Sequence, residues 1–212
     1  MAPVAFADLE VPIVDIFGND SGWSAILPDG VHNGIVVDLV SDSSARIEIA
    51  KGFYDPPSGG DFAPRLIRFR QRLADGQTVA TIEIRDELIR NRTGVDWTGY
   101  RWDLLDTAAA FDKAATDASG FDTSPFVNKN WGPQQATWPD ADHVSSLAVD
   151  GGVVAAGAAY TPGLIAGGLF IDIDLSRCDS DFTLRQRPVP EPASLGLIVL
   201  GSAALLARRR RR

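Results

Sequence analysis

Apolar and polar residues alternate with a period of two over several short stretches of this chain, the pattern of strands with one buried and one wetted face. The stretches are Gly34 to Val40, Ala45 to Ala50, Leu66 to Leu73, Thr78 to Ile89, Gly168 to Leu175 and Asp181 to Arg187, all rich in Val, Ile and Phe. In the third of them Arg68, Arg70 and Arg72 share one face, while Ile67, Phe69 and Leu73 lie on the other. Turn chemistry separates the stretches: Asp29-Gly30, Asn33-Gly34, Pro56 to Gly60, Asp75-Gly76, Asn91 to Gly94 and Asp150 to Gly152. Short strands between Gly-rich turns predict an all-β domain, an antiparallel β-sandwich or jelly roll, over residues 8–187. Between them, Leu104, Ala108, Phe111 and Ala115 fall on a helical stripe that reads as a short helix or a loop, and Ser119 to Pro139 reads as one long ordered loop.

The ends break this pattern. Ala5-Phe6-Ala7 followed by Asp8 is a small-x-small sequence of the kind a signal peptidase cuts. Residues 1–7 then read as the remnant of a signal peptide whose basic and apolar parts lie upstream of Met1. At the other end, Ala193 to Ala207 is a run of fifteen uncharged residues followed directly by Arg208, Arg209, Arg210, Arg211 and Arg212. As a helix it covers roughly 22 Å of a hydrocarbon core near 30 Å. Five adjacent guanidinium groups cannot be buried, but they can snorkel to the headgroups, lengthening the span and holding that end on the cytoplasmic side. A transmembrane helix over 193–207 and a cytoplasmic Arg cluster over 208–212 are therefore expected, with the body outside the cytoplasm.

Immediately before the span stand Val189, Pro190, Glu191 and Pro192, where two prolines oppose helix and keep the chain extended. The ordered trio of V-P-E-P, short apolar helix and terminal arginines resembles the PEP-CTERM sorting signal of Gram-negative bacteria. The resemblance implies export through the general secretory route, then recognition and cutting near residues 189–192 by an exosortase. It also implies an inner-membrane tether during sorting and a final place at the cell surface or in the extracellular matrix. The stretch Ile89 to Leu104 resembles the N-x-T-G-x-x-W-T-x-Y/F hairpin of β-sandwich proteins that end in this signal, with Asn91, Thr93, Gly94, Trp97, Thr98 and Tyr100 at the matching positions. Gly120 to Thr123 and Gly151 to Pro162 resemble the downstream pattern more loosely, and the alanine-rich Leu105 to Ala115 departs from it.

Composition narrows the function. The formal net charge is −8 even with the five terminal arginines counted, so the body is strongly acidic and nucleic acid is excluded as a partner. Cys178 is the only cysteine, which rules out an internal disulfide and any Cys-rich metal site. With only His32 and His143, no G-x-S-x-G and no nucleophile paired to a base, the chain does not read as an enzyme, and no cofactor is expected. A secreted hydrolase with unidentified catalytic residues stands as an alternative. Asp140, Asp142 and His143, and Asp172, Asp174, Asp179 and Asp181, are weak candidates for a hard cation such as calcium, although alternation alone puts the acids of a strand on its wet face. Trp131 and Trp138 form a possible carbohydrate platform; core packing is the competing reading, as for Trp23, Trp97 and Trp102. The expected role is structural or binding, linked to exopolysaccharide and biofilm.

Overall fold

The computed structural model describes residues 8–28, 34–177 and 181–191. Residues 1–7, His32, Cys178, Asp179, Pro192, the 193–207 span and the five terminal arginines lie outside the described residues. Among those described, no helix is long and apolar enough to cross a membrane.

Two sheets enclose one hydrophobic core, as the alternation predicted. With strands numbered in chain order, the first sheet runs β1 (Leu9–Val14), β2 (Asp20–Leu27), β5 (Arg65–Gln71), β15 (Asp181–Pro190), β8 (Trp97–Leu104), β12 (Ser146–Val154) and β10 (Asn128–Trp131), every neighbour antiparallel. The second runs β11 (His143–Val144), β9 (Ala109–Asp112), β14 (Leu169–Ile173), β6 (Thr81–Ile84), β4 (Ser44–Phe53), β7 (Leu88–Asn91) and β13 (Ala159–Tyr160), with β3 (Gly34–Val40) also pairing with β4. This sheet is not wholly antiparallel: β4 pairs in parallel with β6 through Ser44–Ile47 and with β7 through Ala50–Phe53.

The reason lies at Arg85 to Glu87. The expected single strand over Thr78 to Ile89 divides there into β6 and β7, because Asp86 adopts a positive φ of 50° and Glu87 turns into the core. The two halves then lie end to end along one long β4. The stripe over 104–118 likewise divides: Leu104 ends β8, and the rest holds β9 and the helix α1 (Lys113–Ser119). Asp112 caps the helix by accepting from the Ala115 amide, and Gly120, at φ 73°, ends it in the left-handed region. The expected loop over 119–139 contains an edge strand, β10.

The phase of β5 matches the sequence. Ile67 and Phe69 are fully buried, while Arg68, Arg70 and Arg72 pair on the wet face with Asp181, Glu10 and Asp20. Such exposed pairs contribute little, about 0–1 kcal/mol each. Trp23, Trp97 and Trp102 are fully buried, with Trp23 packed edge-on to Phe182 and Trp97 edge-on to Phe53. Gly99 has no room for a side chain: a Cβ there would lie 2.6 Å from the Val149 carbonyl oxygen on the neighbouring strand.

The last strand continues to Pro190, three residues beyond the expected end at Arg187, and buries Pro188 opposite Tyr100. A chain ending at Arg187 is therefore expected to fold but to be less stable than one ending at Glu191 by about 2 kcal/mol, for the lost apolar burial and pairing. Urea unfolding of the two chains followed by tryptophan fluorescence measures the difference; equal midpoints would mean that Pro188 to Pro190 contribute nothing to the domain.

Candidate functional site

The sorting motif begins inside the fold. Pro188, Val189 and Pro190 pair with Tyr100, Gly99 and Trp97 of β8, and the Thr98 hydroxyl donates to the Pro190 carbonyl oxygen at 3.1 Å. Proline cannot donate to a ladder and is ordinarily kept out of inner strands. It is tolerated here because the pairing of β15 with β5 stops at Gln186 opposite Arg65, so that beyond this point the strand has a neighbour on one side only. Val189 and Glu191 are exposed, beside a groove that Asp61, Arg101 and Arg187 help to line. Val189 and Pro190 thus stand in extended form at an accessible strand end, the exposed Glu191 follows directly, and Pro192 lies outside the described residues.

The hairpin with the N-x-T-G-x-x-W-T-x-Y pattern supports that strand end. Asn91 is fully buried; its amide donates to the carbonyls of Val95, Val154 and Ala155, and its Oδ1 accepts from the Thr93 amide and hydroxyl. Gly94 takes the positive φ of 76° that the turn requires. Asn91 therefore serves to close the hairpin. Trp97 fills the core, Thr98 holds Pro190, and the Tyr100 hydroxyl donates to Gln186 Oε1 at 2.9 Å. Two side chains of the motif, Thr98 and Tyr100, thus act on β15.

A second cluster gathers residues from three distant segments. His143 Nδ1 lies 2.7 Å from Asp140 Oδ1 and its Nε2 lies 3.2 Å from Asp172 Oδ2, while the indole of Trp138 stacks on the imidazole at 4.2 Å between centroids. Asp112, His143 and Asp172 bring one ligand atom each within 4.8 Å of one another. This set overlaps the acids expected from the sequence only at Asp172: Asp140 bonds to the ring from outside the set, Asp174 pairs with Arg177, and Asp142 contributes backbone contacts. Both ring nitrogens face carboxylates, so the arrangement suits an imidazolium donating twice better than a neutral ligand. Burial alone would push His143 down, but the hydrogen bonds and charges of Asp140 and Asp172 outweigh it and hold the ring above its ordinary 6.5. Trp138 is half-buried, one face taken by His143 and its indole N–H donated to the Thr107 carbonyl. Trp131 sits on β10, half-buried against the core. The two rings come from different elements, and each already has a packing role.

A third group was not legible in the composition. Lys51 and Glu87, both buried, form an ion pair at 2.5 Å; the Trp102 indole donates to Glu87 Oε2 at 3.0 Å and the Gln186 amide to Glu87 Oε1 at 3.0 Å. The signal was present in the alternation. Lys51 follows Ala45, Ile47 and Ile49 in the inward phase of β4, and Gln186 follows Phe182 and Leu184 in that of β15. Burial pushes the Lys51 amine down, opposed by the Glu87 charge.

Residues 188–212 match the family model described as the PEP-CTERM protein-sorting motif. No curated protein and no solved structure matches the chain. The motif marks an exported protein sorted through an exosortase, as the resemblance implied.

For the imidazole cluster, the proton NMR titration of His143 is expected to have a midpoint above 6.5, and Asp172→Asn to lower it. Since the folded value exceeds the unfolded one, the stabilisation is complete at pH values below 6.5 and is lost as pH rises through the folded midpoint. A midpoint at or below 6.5 would contradict the double clamp.

Proposed function

We propose that this protein is a cell-envelope or extracellular-matrix component with a structural or binding role in exopolysaccharide, released to its final place when an exosortase cuts near the end of β15. The reading rests above all on the junction of Val189 and Pro190, extended at the end of β15, with Glu191, the apolar run and the arginines that follow. In this scheme Pro190, Glu191 and Pro192 are the recognised segment. Residues 193–207 hold it at the bilayer, and Arg208 to Arg212 fix orientation by the positive-inside bias. The body, acidic and closed over a single core, is the delivered part.

A carbohydrate-binding role has one observation in its favour: Trp138 is only partly buried and His143 stacks on its ring, which fixes the ring's orientation. Trp138→Ala is the test of that role, read by co-sedimentation with the cell's own exopolysaccharide; undiminished binding would remove Trp138 from it.

Replacing Glu191 with Ala is expected to abolish most processing while leaving the protein inserted, because the apolar span and the basic anchor are untouched. Neutral residues at Arg208 to Arg212 are expected instead to weaken membrane retention, since a span of about 22 Å is marginal on its own. The mass of the protein recovered from membrane and medium, with and without an exosortase, separates the two effects. A full-length mass in every strain would reduce the tail to an anchor.

A further inference from the structure

The polar group inside the sandwich has the composition of a reacting centre. It places a shielded primary amine, Lys51 Nζ, and a shielded carboxamide, that of Gln186, against one and the same carboxylate oxygen, Glu87 Oε1, at 2.5 and 3.0 Å. On the far side of the carboxamide, the Tyr100 hydroxyl donates to Gln186 Oε1 at 2.9 Å. The Trp102 indole holds the other carboxylate oxygen, fixing the plane of Glu87. Nucleophile, proton carrier, electrophile and a donor on the carbonyl oxygen are therefore joined in one hydrogen-bonded chain, Lys51–Glu87–Gln186–Tyr100. As a purely structural device this is costly, since a buried ion pair commonly returns less than its desolvation removes.

We propose that this centre joins Lys51 to Gln186 by an intramolecular amide bond. The amine gives a proton to Glu87 and its freed electron pair attacks Gln186 Cδ, so that a C–N bond forms while the carbonyl pair moves onto Oε1 beside the Tyr100 hydroxyl. Glu87 delivers that proton to Nε2 and then takes a second one from the attacking nitrogen. The old C–N bond breaks and ammonia departs. One amide replaces another, so no oxidant, cofactor or water is consumed. Starting from the ionised pair, the remaining proton stays on Glu87, and two buried charges disappear. That removal of buried charge, together with loss of ammonia to solvent, drives the exchange. Attack needs the amine within roughly 3–3.5 Å of the carbon, a distance that rotation about the flexible lysine stem can set.

The bond would join β4 of one sheet to β15 of the other, four residues before Pro190. With Cys178 the sole cysteine, no disulfide can make such a staple. The inference rests on the core alone and stands apart from the sorting reading.

Its test is the mass of the full chain, made in a host without an exosortase, purified folded and then denatured for high-resolution mass spectrometry. The expected mass is one ammonia, about 17 Da, below that of the sequence, with a branched peptide linking Lys51 and Gln186 after digestion. Lys51→Met and Glu87→Gln are each expected to show the full mass of their own sequences. The unmodified mass in the folded, incubated wild-type chain overturns the proposal whatever the variants do. Loss of water instead, about 18 Da, with Lys51 joined to Glu87, overturns the assignment of Gln186 as the electrophile.

Discussion

The insertion of β15 between β5 and β8 is the constraint on which the first sheet depends. Take it away and the sheet falls into two three-stranded pieces, β1-β2-β5 and β8-β12-β10, each with a raw edge facing the other. Phe182 stacks on Phe69 and meets Trp23 edge-on, so the same strand also joins the aromatic core of one half to the rest. The pairing is uneven along its length. The strand lies against β5 from Asp181 to Gln186 and against β8 from Leu184 to Pro190, two-sided only where the two overlap, and the loss of β5 beyond Gln186 is what permits prolines at the end of an inner strand.

The second sheet is organised around β4. It is long enough to pair with β3 on one flank and with both β6 and β7 on the other, and the break between the latter two delivers Glu87 to the core. Lys51 of β4 and Gln186 of β15 meet that carboxylate from opposite sheets. The polar contact between the layers is thus made by the two strands that hold each layer together. The arginine rows outside are of a different order, screened by solvent and individually weak.

Much of this was legible in the sequence. The period-two stretches located seven of the fifteen strands among the described residues, β3 to β7, β14 and β15, and assigned the faces of β5 correctly, because alternation reports burial residue by residue. It does not report neighbours, so the parallel pairing of β4 could not be seen. Nor does it report a backbone break, so the alternation over Thr78 to Ile89 predicts one strand where the positive φ of Asp86 makes two. The Asp112–His143–Asp172 group was hidden for a third reason: its members come from strands far apart in the chain, and only the order β11-β9-β14 brings them together. Lys51 and Gln186 were the most readable of the missed residues, polar side chains standing where the alternation calls for apolar ones. The sorting signal was legible in full, because it is a local sequence.

The place of β15 also governs when the domain can form. An exported chain crosses the membrane from its N-terminus, so β1 to β14 emerge while the slot between β5 and β8 is still empty. Its contacts with β5 span more than a hundred residues, Asp181 lying opposite Arg70, and contacts of such separation form slowly. The first sheet cannot close until the segment just ahead of the sorting motif has itself been translocated. Completion of folding therefore cannot precede arrival of the motif at the outer face of the membrane, and a chain that has not finished crossing has no finished sandwich to obstruct its passage.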